Sequence, residues 1–373
     1  MVLRRAAAGS RSHISWVVAA LLVAGLAVAQ DRAVGPQLPA PAVEAAESAV
    51  RALMAAKKVP GISVAVGVGD LRWSAGFGLA DLENEVPVTP RTVFRYASIS
   101  KPITAVAALQ LVERNRLNLD ASIQTYVPDF PPKQWPISAR QLLCHQGGIR
   151  WYRGSEMHST KACRSVREGL MVFRDDPLEF EPGTQFLYSS YGYNLLGAAV
   201  ERAGGQPFVR HLREHVLEPA GMRQTRDDSQ GALIPHRARG YIRMPWGEIR
   251  NSVLADTSNK IPGGGLCGTA EDLVAFASAL QAGKLLNAES LRRMREPQKL
   301  RRGQPTGYGL GWHIGRREGV TEVYHAGNQP QVSTLLYTRP ERDVSVAILC
   351  NLEGVNLFEL ARTIADAAEK ATR

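Results

Sequence analysis

Residues 95–104 read RYASISKPIT, and the run AVAALQLV follows at 105–112. Proline lacks an N–H and clashes with the preceding turn, so a helix tolerates it only in its first turn. Pro102 therefore places a helix start close to Ser98. The segment beyond it is apolar nearly all round, the pattern of a buried helix. Lys101 is structurally misplaced there. It is a cation at the positive end of a helix dipole, and lysine is seldom buried without a partner. Ser98 lies three residues earlier, on the same helix face, with Cβ atoms about 5–6 Å apart. Reading Ser98 as a plain N-cap leaves the lysine unexplained, because a capping box would place Glu or Gln at that spacing. Reading Ser98 as a nucleophile gives Lys101 a task. Desolvation and the dipole both lower its pKa, which suits it to accept the serine proton. Unpaired N–H groups at the helix start would also stabilise an oxyanion.

Strand patterns stand on both sides of this helix. GISVAVGV (61–68), Gly69-Asp70 and LRWSAGFG (71–78) read as a hairpin, and a helix is predicted before it from Pro41 to Lys58. LGWHIG, TEVYH, VSTLLYT and VSVAILC read as four further strands, and Val355 to Lys370 as a closing helix. Between them, helical patterns fall at 98–115, 138–145, 190–203, 207–217 and 270–282. The predicted fold is therefore α+β: an antiparallel sheet assembled from both ends of the chain, flanked by N- and C-terminal helices, with a helical lobe inserted. A cleft between the lobes is the expected ligand site.

The chain has 373 residues, 45% hydrophobic and 21% charged, an ordinary globular balance. Its start differs. Arg4, Arg5 and Arg11 precede a run from Ile14 to Ala29 in which only Ser15 is polar, ending in Ala27-Val28-Ala29. This reads as a secretory signal peptide at 1–29, followed by a proline-containing linker at 30–41 and one two-lobed domain at 42–373. An uncleaved membrane anchor is the alternative. Export would permit disulfides; Cys144 and Cys163 are the nearest pair, and four buried thiols are the simpler reading. No zinc-like cysteine spacing occurs, and no cofactor is implied. Part of the net charge of +10 sits in LRRMREPQKLRR at 291–302. That segment reads as a solvated helix and loop, with contact to an anionic membrane or cell envelope as the sharper alternative. Aromatic residues are not interleaved there, so nucleic acid is not an expected partner.

Two later elements join the serine and lysine: Tyr188-Ser189-Ser190 within EPGTQFLYSSYGYNLLG, and His325-Ala326-Gly327 on a late strand. In this order they resemble the S-x-x-K, Y-x-N and K-T-G signatures of penicillin-recognising serine hydrolases. FRYASISKPIT, LLCHQGGIRWY, DDPLEFEPGTQFLYSSYGY and IPGGGLCGTAEDL together resemble the β-lactamase-related, class C-like group, and within it the LACTB-type serine β-lactamase-like proteins. The likeness runs over about residues 55–353. It implies a β-lactamase/transpeptidase-like fold and an acyl-enzyme mechanism. By that resemblance Ser98 is the nucleophile, Lys101 its partner, and Tyr188 the tyrosine that acts with the lysine. Whether Lys101 or Tyr188 takes the proton stays open at this level. The resemblance also implies an oxyanion hole from the N–H groups of Ser98 and Asn328.

The signatures depart from the family at the substrate side. Ser190 stands where Asn is usual, and His325 and Ala326 replace Lys and Thr. Those groups hold the substrate carboxylate in lactam and D-Ala-D-Ala recognition. A histidine largely neutral at pH 7 and an alanine without hydroxyl weaken that anchor. Ser190, His325, Gly327 and Asn328 are the expected substrate-side residues. A small molecule or peptide bearing an ester or amide bond, without the carboxylate, is the expected substrate. A true class C-like β-lactamase or D-Ala-D-Ala carboxypeptidase is one alternative; a non-catalytic scaffold on the same fold is another. A third comes from His211-Leu212-Arg213-Glu214-His215, which matches the H-x-x-E-H pattern of some zinc peptidases. Against it, Phe208, Leu212 and Val216 already form the apolar stripe of that helix.

Overall fold

The computed structural model describes residues 36–372. The signal-peptide segment and the first half of the linker lie outside the described residues. Helix α1 (Ala40–Lys57) leads into β1 (Gly61–Val68) and β2 (Leu71–Asp81), and the short β3 (Val86–Pro87) follows. Gly69, at φ +54°, makes the tight turn between β1 and β2. After the helical lobe come β4 (His313–Arg317), β5 (Val320–Gln329), β6 (Val332–Arg339) and β7 (Val344–Cys350). All join one seven-stranded antiparallel sheet in the order β3-β2-β1-β7-β6-β5-β4. The expected fold class is thus the one observed.

Strand alternation assigns the two faces of the sheet. Ile62, Val64 and Val66 of β1 face α1 and the closing helix α5 (Phe358–Thr372), together with Val50, Trp73 and Ile364. Ala65 faces the other way, into the core shared with the helical lobe. That lobe is built around α2 (Ser100–Glu113), whose residues from Ser100 to Leu111 are all buried. The helices α3 (Ser190–Gly204) and α4 (Ala270–Gln281) pack in the same core through Leu195, Val200, Leu273 and Phe276. A helix buried on every side needs no amphipathic stripe, which is why its sequence shows none.

The predicted helix at 207–217 is interrupted. Phe208–Leu212 is α-helical, then Arg213–Leu217 widens into a π turn. The cause is local. Pro219 has no N–H to give the His215 carbonyl, and the Gln110 side chain donates to that oxygen instead, at 2.9 Å. All four cysteines are free thiols, so Cys144 and Cys163 are not bridged. Cys163 is only half-buried, its N–H held by Ser258 Oγ at 2.7 Å. In the basic segment, Arg292 pairs with Glu289 and Glu296, and Arg301 pairs with Glu181. No helix among the described residues is long and apolar enough to cross a membrane.

One buried carboxylate ties α5 to the sheet. Glu322 of β5 accepts from Arg362 at 2.9 and 2.6 Å and from the Tyr337 hydroxyl at 2.7 Å. Burial works against its ionisation, but Arg362 and Tyr337 prevail and hold its carboxyl below the usual range. A carboxylate with a depressed folded pKa stabilises the fold above its ordinary pKa, and loses that contribution as pH falls. Glu322→Gln should lower stability at pH 7 by about 1–3 kcal/mol in urea unfolding. The gap to wild type should close as pH drops through the carboxylate range.

Candidate active site

The segment before α2 does not enter it smoothly. Ala97 takes a left-handed backbone at φ +50°, and Ala97–Ile99 form a single 3-10 turn before the α-helix begins at Ser100. Such a conformation costs a residue with a Cβ about 1–3 kcal/mol and persists only where neighbours enforce it. Here Ser100 Oγ donates to the Ala97 carbonyl at 2.8 Å and accepts from Leu266 N–H at 3.2 Å. Ser100 is fully buried by these bonds, whereas Ser98 remains partly exposed. Of the two serines in the motif, only Ser98 is open to a substrate.

Lys101 is fully buried in the first turn of α2. Its Nζ lies 3.1 Å from Ser98 Oγ and 3.0 Å from Ser190 Oγ, and donates to the Gly263 carbonyl at 2.7 Å. It lies 4.6 Å from the Tyr188 ring centroid. No carboxylate pairs with it among the described residues. The Gly263 carbonyl comes from a short helix, Ile261–Gly264. A Cβ on Gly263 would meet the Ser190 carbonyl oxygen at 2.7 Å, so only glycine lets this turn approach α3.

Tyr188 and Ser190 are placed by the N-cap of α3. Ser189 Oγ accepts from Gly192 N–H at 3.1 Å and donates to the Arg150 carbonyl at 2.8 Å. Ser189 N–H donates to His145 Nδ1 at 3.1 Å. The Tyr188 hydroxyl faces the Ser98 side chain. Burial acts on the two titratable neighbours of Ser98 in opposite senses. It pushes Lys101 well below the ordinary lysine value, aided by the charge of Lys260, and so favours the free amine. It pushes the Tyr188 phenol well up, with the Ser98 side chain opposing, and so favours the neutral hydroxyl.

The end of β5 faces this cluster. β4 pairs with β5 only as far as Tyr324, so the edge from His325 to Gln329 is open. Gln329 and Val332 close a two-residue hairpin, which makes Asn328 and Ser333 a non-hydrogen-bonded pair. The Asn328 N–H therefore points to the open edge. Gly327 spaces this strand from the serine turn. A Cβ there would meet Thr334 Oγ1 at 2.2 Å, Tyr96 O at 2.6 Å and Ala97 Cβ at 2.9 Å. His325 turns inward, at 1% exposure, with its ring centroid 6.1 Å from that of Tyr188. Its Nδ1 donates to its neighbour's carbonyl, Ala326 O, at 2.8 Å, so its Nε2 accepts from the Tyr308 hydroxyl at 3.0 Å. Burial, with His313 and Lys101 adding to it, drives its pKa well below the ordinary histidine value. Ala326 and Asn328 are the exposed residues of this edge.

The H-x-x-E-H segment does not converge. Glu214 pairs with Arg210 at 2.8 Å, while the rings of His211 and His215 pack 4.5 Å apart. Among the described residues no group of three His, Cys, Asp or Glu side chains could hold a metal ion.

The beta-lactamase family profile matches residues 46–369. The chain belongs to the beta-lactamase family. It is similar to the human serine beta-lactamase-like protein LACTB, mitochondrial: 28% identical, over 88% of this chain and 82% of that protein. It is also similar to esterase EstB of Burkholderia gladioli, 28% identical over 75% of this chain and 80% of that one. Among solved structures, the octameric penicillin-binding protein homologue from Pyrococcus abyssi superposes with a TM-score of 0.74. That match is at 27% identity and covers 86% of this chain and 75% of the other. The chain is therefore a serine hydrolase of the beta-lactamase family.

Several residues of this beta-lactamase-family site had no assigned role in the sequence reading. Gly263, Lys260, Tyr152 and His145 sit in the quoted family-like segments or directly beside them, but only the packing shows what they touch. The glycine run GGG beside a lysine in NKIPGGG was the available signal. Gly327→Ala should move the strand edge away from the serine turn. The expected loss in kcat/KM is on the order of 100-fold, with destabilisation of about 1–3 kcal/mol. Steady-state kinetics with an activated ester and urea unfolding of the same preparation check both.

Proposed function

We propose that this is an exported serine acyl hydrolase working through a Ser98 acyl-enzyme on ester, amide or peptide bonds whose substrates lack a carboxylate beside the reacting group. The observation that carries the reading is Lys101 Nζ, buried 3.1 Å from the one accessible serine of the motif and paired with no carboxylate among the described residues. As a free amine, Lys101 accepts the Ser98 proton through its lone pair while Oγ attacks the substrate carbonyl. The N–H groups of Ser98 and Asn328 hold the tetrahedral oxyanion. Collapse breaks the bond to the leaving oxygen or nitrogen, which takes a proton delivered from Lys101 through Tyr188. Water then attacks the acyl-enzyme, giving its proton to the same amine; collapse breaks the acyl bond to Ser98 Oγ, which takes that proton back, and the acid is released. Tyr188 serves as a neutral hydroxyl relay, because burial opposes a phenolate.

The substrate side supports an uncharged reacting group. The inward, neutral His325 and the Ala326 methyl leave no cation or hydroxyl on the strand edge to hold a carboxylate. Ser190 bonds Lys101, so its role is to hold the amine rather than to read the substrate. The name of the related esterase EstB is in keeping with this class. Export rests on residues 1–29, and N-terminal sequencing of the secreted protein should begin after Ala29.

Intact-mass spectrometry should show one fluorophosphonate adduct on wild type and none on Ser98→Ala. A folded wild type without adduct would point to a scaffold instead. Lys101→Met should lower kcat/KM by about 10²–10⁴-fold. Activity should fall as pH drops through the lowered Lys101 pKa, since the protonated lysine cannot take the serine proton. Nitrocefin should turn over far more slowly than a neutral p-nitrophenyl ester at pH 7; rapid turnover abolished in Ser98→Ala would favour the β-lactamase reading.

A further inference from the structure

A second lysine is buried beside the first. Lys260, at 1% exposure, makes no ion pair among the described residues, and its Nζ donates to the Met157 carbonyl at 3.1 Å. Burying an ammonium on one neutral acceptor is costly, and an apolar side chain of similar volume would serve packing better. Two paths connect it to Lys101. Along the backbone, Gly263, three residues on, supplies the carbonyl that binds Lys101 at 2.7 Å. Through side chains, Lys260 Nζ lies 5.3 Å from the Tyr152 ring centroid, the Tyr152 hydroxyl faces Ser190, and Ser190 Oγ lies 3.0 Å from Lys101 Nζ.

We propose that Lys260 is a positioning residue for the proton of the site: its buried charge keeps Lys101 in the free-base form that can deprotonate Ser98. The inference rests on the reading of Lys101 as the proton acceptor.

Two like charges in one dry region cannot both be held cheaply, so the environments decide which lysine keeps its proton. Asp256 and Asp228 favour charge on Lys260, against Arg95. Asp228 is itself shared with Arg95, at 2.6 Å, and Arg237, and Asp256 accepts from Ser258 N–H at 2.8 Å. From α3 come the neutral Ser190 and Asn194, the latter donating to Asn259 O at 2.7 Å. From the short helix Val166–Leu170 comes the backbone of Gly169, against Asn259. Lys101 faces Ser98, Ser190, Tyr188, Tyr193 and the Gly263 carbonyl, with His145, His313 and His325 around them; none is acidic, and burial pushes each of these histidines below its ordinary value. Burial lowers Lys260 to about 8, while Lys101 is pushed down by burial and then by Lys260 itself. The proton therefore rests on Lys260.

The test follows the titration of Lys101 in the full chain, labelled with 13C at lysine Cε, its resonance identified with Lys101→Gln. Lys260→Gln keeps a donor for Met157 without the charge, Lys260→Met is a second neutral variant, and Lys260→Arg keeps the charge. The Lys101 midpoint should rise by about one pH unit or more in both neutral variants and stay in place in Lys260→Arg. The acid limb of Ser98 labelling by fluorophosphonate should move by the same amount. An unchanged Lys101 midpoint in the neutral variants overturns the proposal, as does loss of the near-UV circular dichroism of both, which would make Lys260 purely structural. Failure of the hydrolase reading shows separately, as no adduct on folded wild type, while the Lys101 titration still decides the role of Lys260.

Discussion

The nitrogen of Lys101 sets the terms for the rest of the site. It is out of reach of water and of any described carboxylate, so neutral oxygens must satisfy it. Ser98, Ser190 and the Gly263 carbonyl do so within 3.1 Å. Each comes from a different part of the lobe: the turn before α2, the first residue of α3, and a glycine-rich helix. Those three elements must therefore meet at one point. Pro102 starts one, the Ser189 cap starts the second, and the missing Cβ of Gly263 lets the third approach. A charged lysine would bear a large desolvation cost in this setting, whereas a free amine bears little. The same packing that makes the lysine a poor structural choice suits it to the part of base in the proposed mechanism.

The second constraint is how closely the sheet edge approaches the serine turn. Ala97 holds a strained backbone, and Gly327 presses against it from β5. This contact joins the helical lobe to the sheet at the point where a substrate carbonyl would sit. An open strand edge and a helix start then supply N–H donors from opposite sides. In the proposed reading, specificity falls to the few side chains that the edge presents. Because β5 alternates, His325 goes inward to Tyr308 while Ala326 and Asn328 go outward.

Much of this was legible in residue order. Pro102 after Ser98 and Lys101 marked the helix start and the shared face, and Gly69-Asp70 between alternating runs marked the first hairpin. The apolar runs near both ends marked a sheet built from distant segments. Other features left little trace. The π turn at Arg213–Leu217 depends on Gln110, about a hundred residues away, reaching the carbonyl that Pro219 leaves unpaired. The inward turn of His325 depends on Tyr308 and on register with β6. Lys260 looked like any lysine before a glycine run, because burial is a property of packing and no local pattern announces it.

By itself, then, the sequence determined the fold class, the helix start at the S-x-x-K motif and the two side chains that share its face. These follow from local rules: proline geometry, helical and strand periodicity, and turn chemistry act within a few residues. The protonation preference of Lys101 and the orientation of the strand edge facing it came from the tertiary packing. Both are set by what lies within a few ångströms in space, where desolvation and neutral partners brought from remote segments outweigh anything the neighbouring residues dictate.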